Sequence, residues 1–141
     1  MIDIQIVETV SPEIEIFQRK EWELADLKHF GRIVSWGKES KILKAIQDNN
    51  LIGVLDLTIE SGVMHIDGLI VKEDKQGNGI GKALMIKAEE LAKERKVHKI
   101  YLDTGKTWLS SNFYQSLGYT ITAELQNHIE HQDYVIYSKF L

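Results

Sequence analysis

Residues 71–84, VKEDKQGNGIGKAL, place Gly77, Gly79 and Gly81 on alternate positions between a charged turn and a run with helical spacing. Glycine weakens a helix by about 1 kcal/mol per position relative to alanine. Three of them at a strand-to-helix junction therefore give up local stability for a particular backbone path. The first N–H groups of a helix have no intrahelical partner, and together with unobstructed glycine amides and the helix dipole they form a site for an anion. Two readings follow from the residues alone. One is a phosphate or pyrophosphate cradle; the other is a turn whose glycines let the helix pack against the sheet.

Two familiar phosphate motifs do not fit the stretch. A dinucleotide fingerprint needs G-x-G-x-x-G, but three residues after Gly79 comes Lys82, and that motif follows an early strand. A P-loop needs G-x-x-x-x-G-K-[ST]. Here Gln76 stands where the first glycine belongs, and Ala83 replaces the hydroxyl that would hold magnesium. His128, His131 and Asp133 carry metal-donor atoms, yet His128-x-x-His131 falls in a turn, without a helix to align the pair or further ligands beside it. No metal site is expected there; the segment reads as a loop that joins two strands or lines a pocket.

The elements that hold these residues can be read from period and punctuation. IDIQIV (2–7) alternates and is β-branched, which predicts a first strand. Ser11-Pro12-Glu13 is a helix start, and Ile14, Phe17, Leu24 and Leu27 supply a stripe to bury in a helix running to about His29. Residues 29–40 have no clear period. KILKAIQ, LIGVLDLTIE and VMHIDGLIV, separated by Asp48-Asn49-Asn50 and Ser61-Gly62, form an antiparallel meander. Gly68 inside the last of these runs marks a bulge or a close approach. A helix follows over 79–95, then strand KIYLD (99–103), a short helix over 108–117, strand YTITAEL and strand DYVIYSKFL. That order predicts an α/β fold, a mixed sheet with helices on its faces. Trp22, Trp36 and Trp108 are expected in the core, with Trp36, in the loop after the first helix, the one to suspect of facing a substrate.

Composition narrows the class. At 141 residues, 43% hydrophobic and 27% charged, the chain is read as one domain spanning 1–141. A net charge of −4 offers no basic footprint for nucleic acid and leans toward a cationic small partner. The chain has no cysteine, which removes disulfides, thiolate metal sites and any acyl-cysteine intermediate. With no signal-like N-terminus and no apolar run near ~20 residues, no membrane partner is expected and a cytoplasmic location is.

Gln76-Gly77-Asn78-Gly79-Ile80-Gly81 resembles the [QR]-x-x-G-x-[GA] motif with which GNAT-superfamily N-acetyltransferases bind the pyrophosphate of coenzyme A. The resemblance continues in NFYQSLGY (112–119), similar to the family's tyrosine followed four residues on by glycine and an aromatic. The two regions span about Val63 to Tyr119, and the strand–helix order matches the family fold. That resemblance implies a mostly antiparallel sheet of about seven strands flanked by about four helices, with acetyl-CoA as cofactor.

It also implies roles. Leu69, Ile70 and Val71 would present backbone groups to the pantetheine arm and the acetyl carbonyl. Gln76 and the amides of Gly77, Asn78, Gly79, Ile80, Gly81 and Lys82 would cradle the pyrophosphate. Tyr114 would protonate the departing thiolate. Many relatives carry a cofactor-contacting asparagine seven residues before the tyrosine; here Thr107 takes that place with a shorter reach, and the alanine-like position is Ser110. Transfer to an amine needs a proton acceptor, for which Asp103 is the leading candidate, with His65, Asp67 or water as the others. The implied activity is acetyl transfer from acetyl-CoA to a primary amine by direct attack in a ternary complex. A small-molecule amine is the first choice of acceptor and a protein amine the second. The alternative is a non-catalytic acyl-CoA-binding module on the same scaffold. Homodimers are common in the family, with no interface legible here.

Overall fold

Ser11 opens the first helix in the manner its sequence predicts: its Oγ accepts from the Ile14 N–H at 3.3 Å, and Pro12 follows at the first helical position. In a computed structural model that describes residues 1–141, this helix, α1, spans Pro12–Phe30 and ends on Gly31 in the left-handed conformation. The chain divides into two compact units, Met1–Trp36 and Gly37–Leu141.

The first unit departs from the sequence reading in three ways. Residues 2–7 form no strand, and Ile2, Ile4 and Ile6 are exposed. Alternation makes an apolar face, but a strand persists only where its backbone finds a ladder, and none includes this segment. The stripe of α1 is not buried either: Phe17, Leu24 and Leu27 are exposed, and the buried residue is Asp26. Its Oδ2 accepts from the backbone N–H of Val34 at 3.1 Å and from Trp36 Nε1 at 3.2 Å, folding residues after α1 back onto it. Nor is either of its tryptophans in the core: Trp22 and Trp36 are exposed, as is Trp108 of the second unit.

The second unit is built on a six-stranded sheet in the order β1-β2-β3-β4-β6-β5. Its strands are β1 (Glu39–Gln47), β2 (Asn50–Glu60), β3 (Val63–Val71), β4 (Lys99–Gly105), β5 (Thr120–Leu125) and β6 (Tyr134–Phe140). The mixed, mostly antiparallel α/β sheet is the expected one. With residues 2–7 outside it there are six strands rather than about seven. The helices are α1, α2 (Ile80–Glu94) and α3 (Ser110–Ser116), with 3-10 turns at Glu73–Lys75 and Ile129–His131, because residues 31–38 stay irregular.

One sheet face is apolar. Leu55, Leu57, Met64, Ile66, Ile100 and Leu102 pack with Leu84, Met85, Ala88 and Ala92 of α2 in a single core. The alanines let the helix approach closely, and burying each larger side chain contributes about 1.5–3 kcal/mol. Tyr114 and Tyr119 close that core from the α3 side. The end of α3 is tied down by Lys139 on β6, whose Nζ donates to the Leu117 carbonyl at 2.9 Å and to Glu89 of α2 at 3.1 Å. Tyr119 donates to the same carboxylate at 3.0 Å. This half-buried knot fixes the helix that carries Tyr114.

Candidate active site

The one parallel pairing in the sheet joins β3 to β4, and it covers only Val63–Lys99, Met64–Ile100 and His65–Tyr101. Beyond His65 the two strands part. β3 continues on β2 and β4 continues on β6, so a fork opens in the sheet.

A bulge sits on one arm of the fork. Asp56 of β2 pairs with Gly68 while Leu57 pairs with Ile66, leaving Asp67 as the extra residue. One inserted residue reverses which side chains face the core. Met64 and Ile66 point into the core before the bulge; Leu69 and Val71 line a cleft after it. The same alternation turns Ile70 outward, 71% exposed.

The cleft has a volume of about 570 Å³, in the range of small-ligand sites. Gln76, Gly77, Gly79, Ile80, Gly81 and Lys82 form one side of it, and Phe113 and Tyr114 of α3 form another. Gly77 (φ 79°) and Gly79 (φ 80°) hold left-handed backbone conformations, Gly79 as the N-cap of α2. A Cβ built on either meets no atom within 4 Å, so what requires glycine there is the dihedral angle and not crowding within the chain. Gly81 has no positive φ; its Cβ would touch the Phe113 ring at 3.4 Å. Two amides brace the loop: Gln76 Nε2 donates to the Val71 carbonyl at 3.1 Å, and Asn78 Nδ2 donates to the Lys75 carbonyl at 3.0 Å. Asn78 and Thr107 lie outside the cleft wall, Thr107 on an exposed turn.

The N-terminal end of α2, with free N–H groups, Lys75 and Lys82 at the cleft, suits an anionic group. The apolar strip of Leu69, Val71, Leu109 and Phe113 suits a flexible uncharged arm. Tyr114 is 7% exposed, and burial pushes its phenol up to about 12. Like any tyrosine, it is protonated at neutral pH and can donate. Ser110, also on the cleft, shares a 2.7 Å hydrogen bond with Thr104 at the end of β4.

The opposite face of the fork is polar. Asp67 Oδ1 lies 2.6 Å from His65 Nδ1, and its Oδ2 accepts from Thr58 Oγ1 at 2.7 Å. His65 Nε2 faces Asp103 Oδ1 at 3.7 Å, and the imidazole packs on the Tyr101 ring at 4.6 Å. The three proton acceptors singled out in the sequence thus form one cluster at the vertex of the fork. Sequence reasoning did not find Thr58, because only the β2–β3 register places it there. It also singled out neither Phe113 nor Leu109 as cleft residues, since apolar side chains before a core tyrosine carry no signal of their own. His128 packs edge-on against Tyr134 at 5.1 Å, and His131 pairs with Asn127 at 3.0 Å.

Residues 7–119 match the acetyltransferase (GNAT) family. Among solved structures, an acetyltransferase from Bacillus cereus superposes with a TM-score of 0.75 at 21% identity, covering 97% of this chain and 98% of the other. An IAA acetyltransferase from the same organism gives 0.68 at 27% identity, over 72% of this chain and 78% of that one. A Bacillus anthracis acetyltransferase in complex with acetyl coenzyme A gives 0.67 at 21% identity, over 72% and 62%. No helix is long and apolar enough to cross a membrane.

Proposed function

Because the chain belongs to the acetyltransferase (GNAT) family, we propose that it acetylates the primary amine of a small molecule by direct attack, with both substrates bound together. It is an acyltransferase, and its donor is acetyl-CoA. The acceptor, the ternary mechanism and the residue roles are our reading, as is the assignment of 1–141 to one functional domain.

The observation that carries it is the fork. A cleft with a glycine loop and a buried phenol opens on one face, and a histidine with two carboxylates stands on the other, at the point where β3 and β4 separate. The residues fit the donor. The loop of 76–82 and Lys82 would hold its phosphates, and the strip from Leu69 to Val71 would run beside its arm. Bound acetyl-CoA supplies an acetyl group activated as a thioester. Tyr114 donates a proton to the departing sulfur, as a phenol, protonated at neutral pH, is able to do. Asp103, with His65 and Asp67, receives the amine on the far side. A carboxylate-lined approach favours a cationic acceptor, which small amines and protein amines both provide; we place the small amine first.

The test is thiol release from acetyl-CoA against a panel of small amines and N-terminal peptides. The expected result is turnover with a small primary amine, with kcat/KM above that for every peptide. Turnover confined to peptides would reverse the order of acceptors.

A further inference from the structure

Resting on that reading, we infer that His65 is the group that takes the proton from the attacking amine, with Asp67 as its positioning residue and Asp103 as the second anchor of the amine. An ionised carboxylate only accepts hydrogen bonds. The 2.6 Å contact between Asp67 Oδ1 and His65 Nδ1 therefore places the ring proton on Nδ1 and leaves a lone pair on Nε2. Thr58 holds the other oxygen of Asp67 at 2.7 Å, and the Tyr101 ring backs the imidazole at 4.6 Å, so the ring is fixed from β2, β3 and β4.

In this tautomer Nε2 faces Asp103 Oδ1 at 3.7 Å: two acceptors look at each other with no proton between them. The group that complements such a pair is one nitrogen with two N–H bonds, a primary amine. Once the ammonium has lost one proton to solvent, one N–H of the neutral amine points to Nε2 and the other to Asp103, leaving the nitrogen lone pair for attack through the fork. The amine nitrogen bonds to the acetyl carbon as the carbon–sulfur bond breaks. The N–H proton passes to Nε2, Tyr114 gives its proton to sulfur, and solvent returns the histidine's proton to the tyrosine's oxygen. The imidazolium formed lies between two carboxylates, Asp67 and Asp103, which stabilise it as it forms.

Other charged groups on this face include Asp56 of β2, whose Oδ2 lies 3.7 Å from where a Gly68 Cβ would stand, and Lys99 of β4, whose Nζ is 5.4 Å from the Tyr101 ring centroid. Neither is within the pair. A carboxylate base at Asp103 would need no ordered histidine; the bulge, Thr58 and Asp67 together orient one.

Two measurements on the full chain test the assignment. Long-range proton–nitrogen NMR of the imidazoles is expected to show neutral His65 protonated on Nδ1 in the wild type, and that preference is expected to weaken in Asp67→Asn. A wild-type Nε2–H tautomer overturns the proposal. Thiol release with the best amine of the panel is expected to fall about 10²- to 10⁴-fold in kcat in His65→Gln, with the Kd for acetyl-CoA unchanged. Undiminished kcat in His65→Gln sinks the assignment and leaves amine acetylation standing. Wild type that binds acetyl-CoA but turns over no amine removes the reading on which the assignment rests.

Discussion

The indole of Trp108 fills the space in which a side chain at Gly105 would stand: a Cβ built on Gly105 would lie 2.2 Å from Trp108 Cε2. Trp108 also meets Tyr134 edge-on at 5.3 Å and donates from Nε1 to Gln132 Oε1 at 3.3 Å. The end of β4, the turn into α3 and the start of β6 are thus packed on one ring. Gly105→Ala is expected to lose about 1–3 kcal/mol by forcing the indole out, read as a lower midpoint in urea. Melting indistinguishable from wild type would show that the indole is not seated there.

The glycine loop separates dihedral need from space. Gly79→Ala is expected to cost about 1–2 kcal/mol of backbone strain and to weaken acetyl-CoA binding, because φ is 80° there. Gly81→Ala has no such strain, and its methyl would just reach Phe113 at 3.4 Å. Calorimetric titration with acetyl-CoA should therefore rank Gly79→Ala well below Gly81→Ala; the reverse order contradicts the loop geometry.

Tyr114→Phe keeps the ring contacts with Phe113 at 5.0 Å and Tyr137 at 5.8 Å and removes only the hydroxyl. The expected outcome is a kcat lowered about 10²- to 10⁴-fold with the Kd for acetyl-CoA unchanged. A kcat equal to wild type would take Tyr114 out of the reaction.

Burial of the same phenol has a consequence for stability in alkali. An exposed tyrosine loses its proton near 10, whereas Tyr114 keeps it to about 12. Between those values the folded state binds more protons than the unfolded one, so stability falls as pH rises through the window and is complete below it. The loss amounts to roughly 2–3 kcal/mol. Tyr119, raised by burial and by the Glu89 carboxylate, adds in the same direction. Urea midpoints at pH 9 and 11 should show the decline, and Tyr114→Phe should flatten part of it.

Tyr137 presents the opposite case, a fully buried hydroxyl with no hydrogen-bond partner. An unsatisfied buried polar group costs about 1–3 kcal/mol. Tyr137→Phe is expected to hold or raise the thermal midpoint, and a fall of several degrees would mean that the hydroxyl has a partner.

Local chemistry determined much of this protein. Ser11-Pro12 began α1, Asp48-Asn49 and Ser61-Gly62 closed the meander, and the helical spacing of Ile80, Leu84, Ala88, Leu91 and Ala92 set the face of α2 on which Leu84, Ala88 and Ala92 are buried and Ile80 and Leu91 partly so. These features act within a few residues, so they are legible in the chain. The glycine motif and Tyr114 are local patterns too, and they line two sides of one cleft.

Tertiary structure decided what depends on a partner distant in sequence. Residues 2–7 had the alternation of a strand but no ladder to join. Phe17, Leu24 and Leu27 had the spacing of a buried stripe and remain exposed. His65, Asp67 and Asp103 were three separate candidates in the sequence, since nothing local says that residues 36 to 38 apart will meet. The short β3–β4 pairing sets His65 beside Asp103, and the bulge at Asp67 sends Leu69 and Val71 into the cleft while Thr58 comes to hold the carboxylate. Register and strand divergence are properties of pairs of segments, and a side chain's role at the fork exists only once both arms are in place.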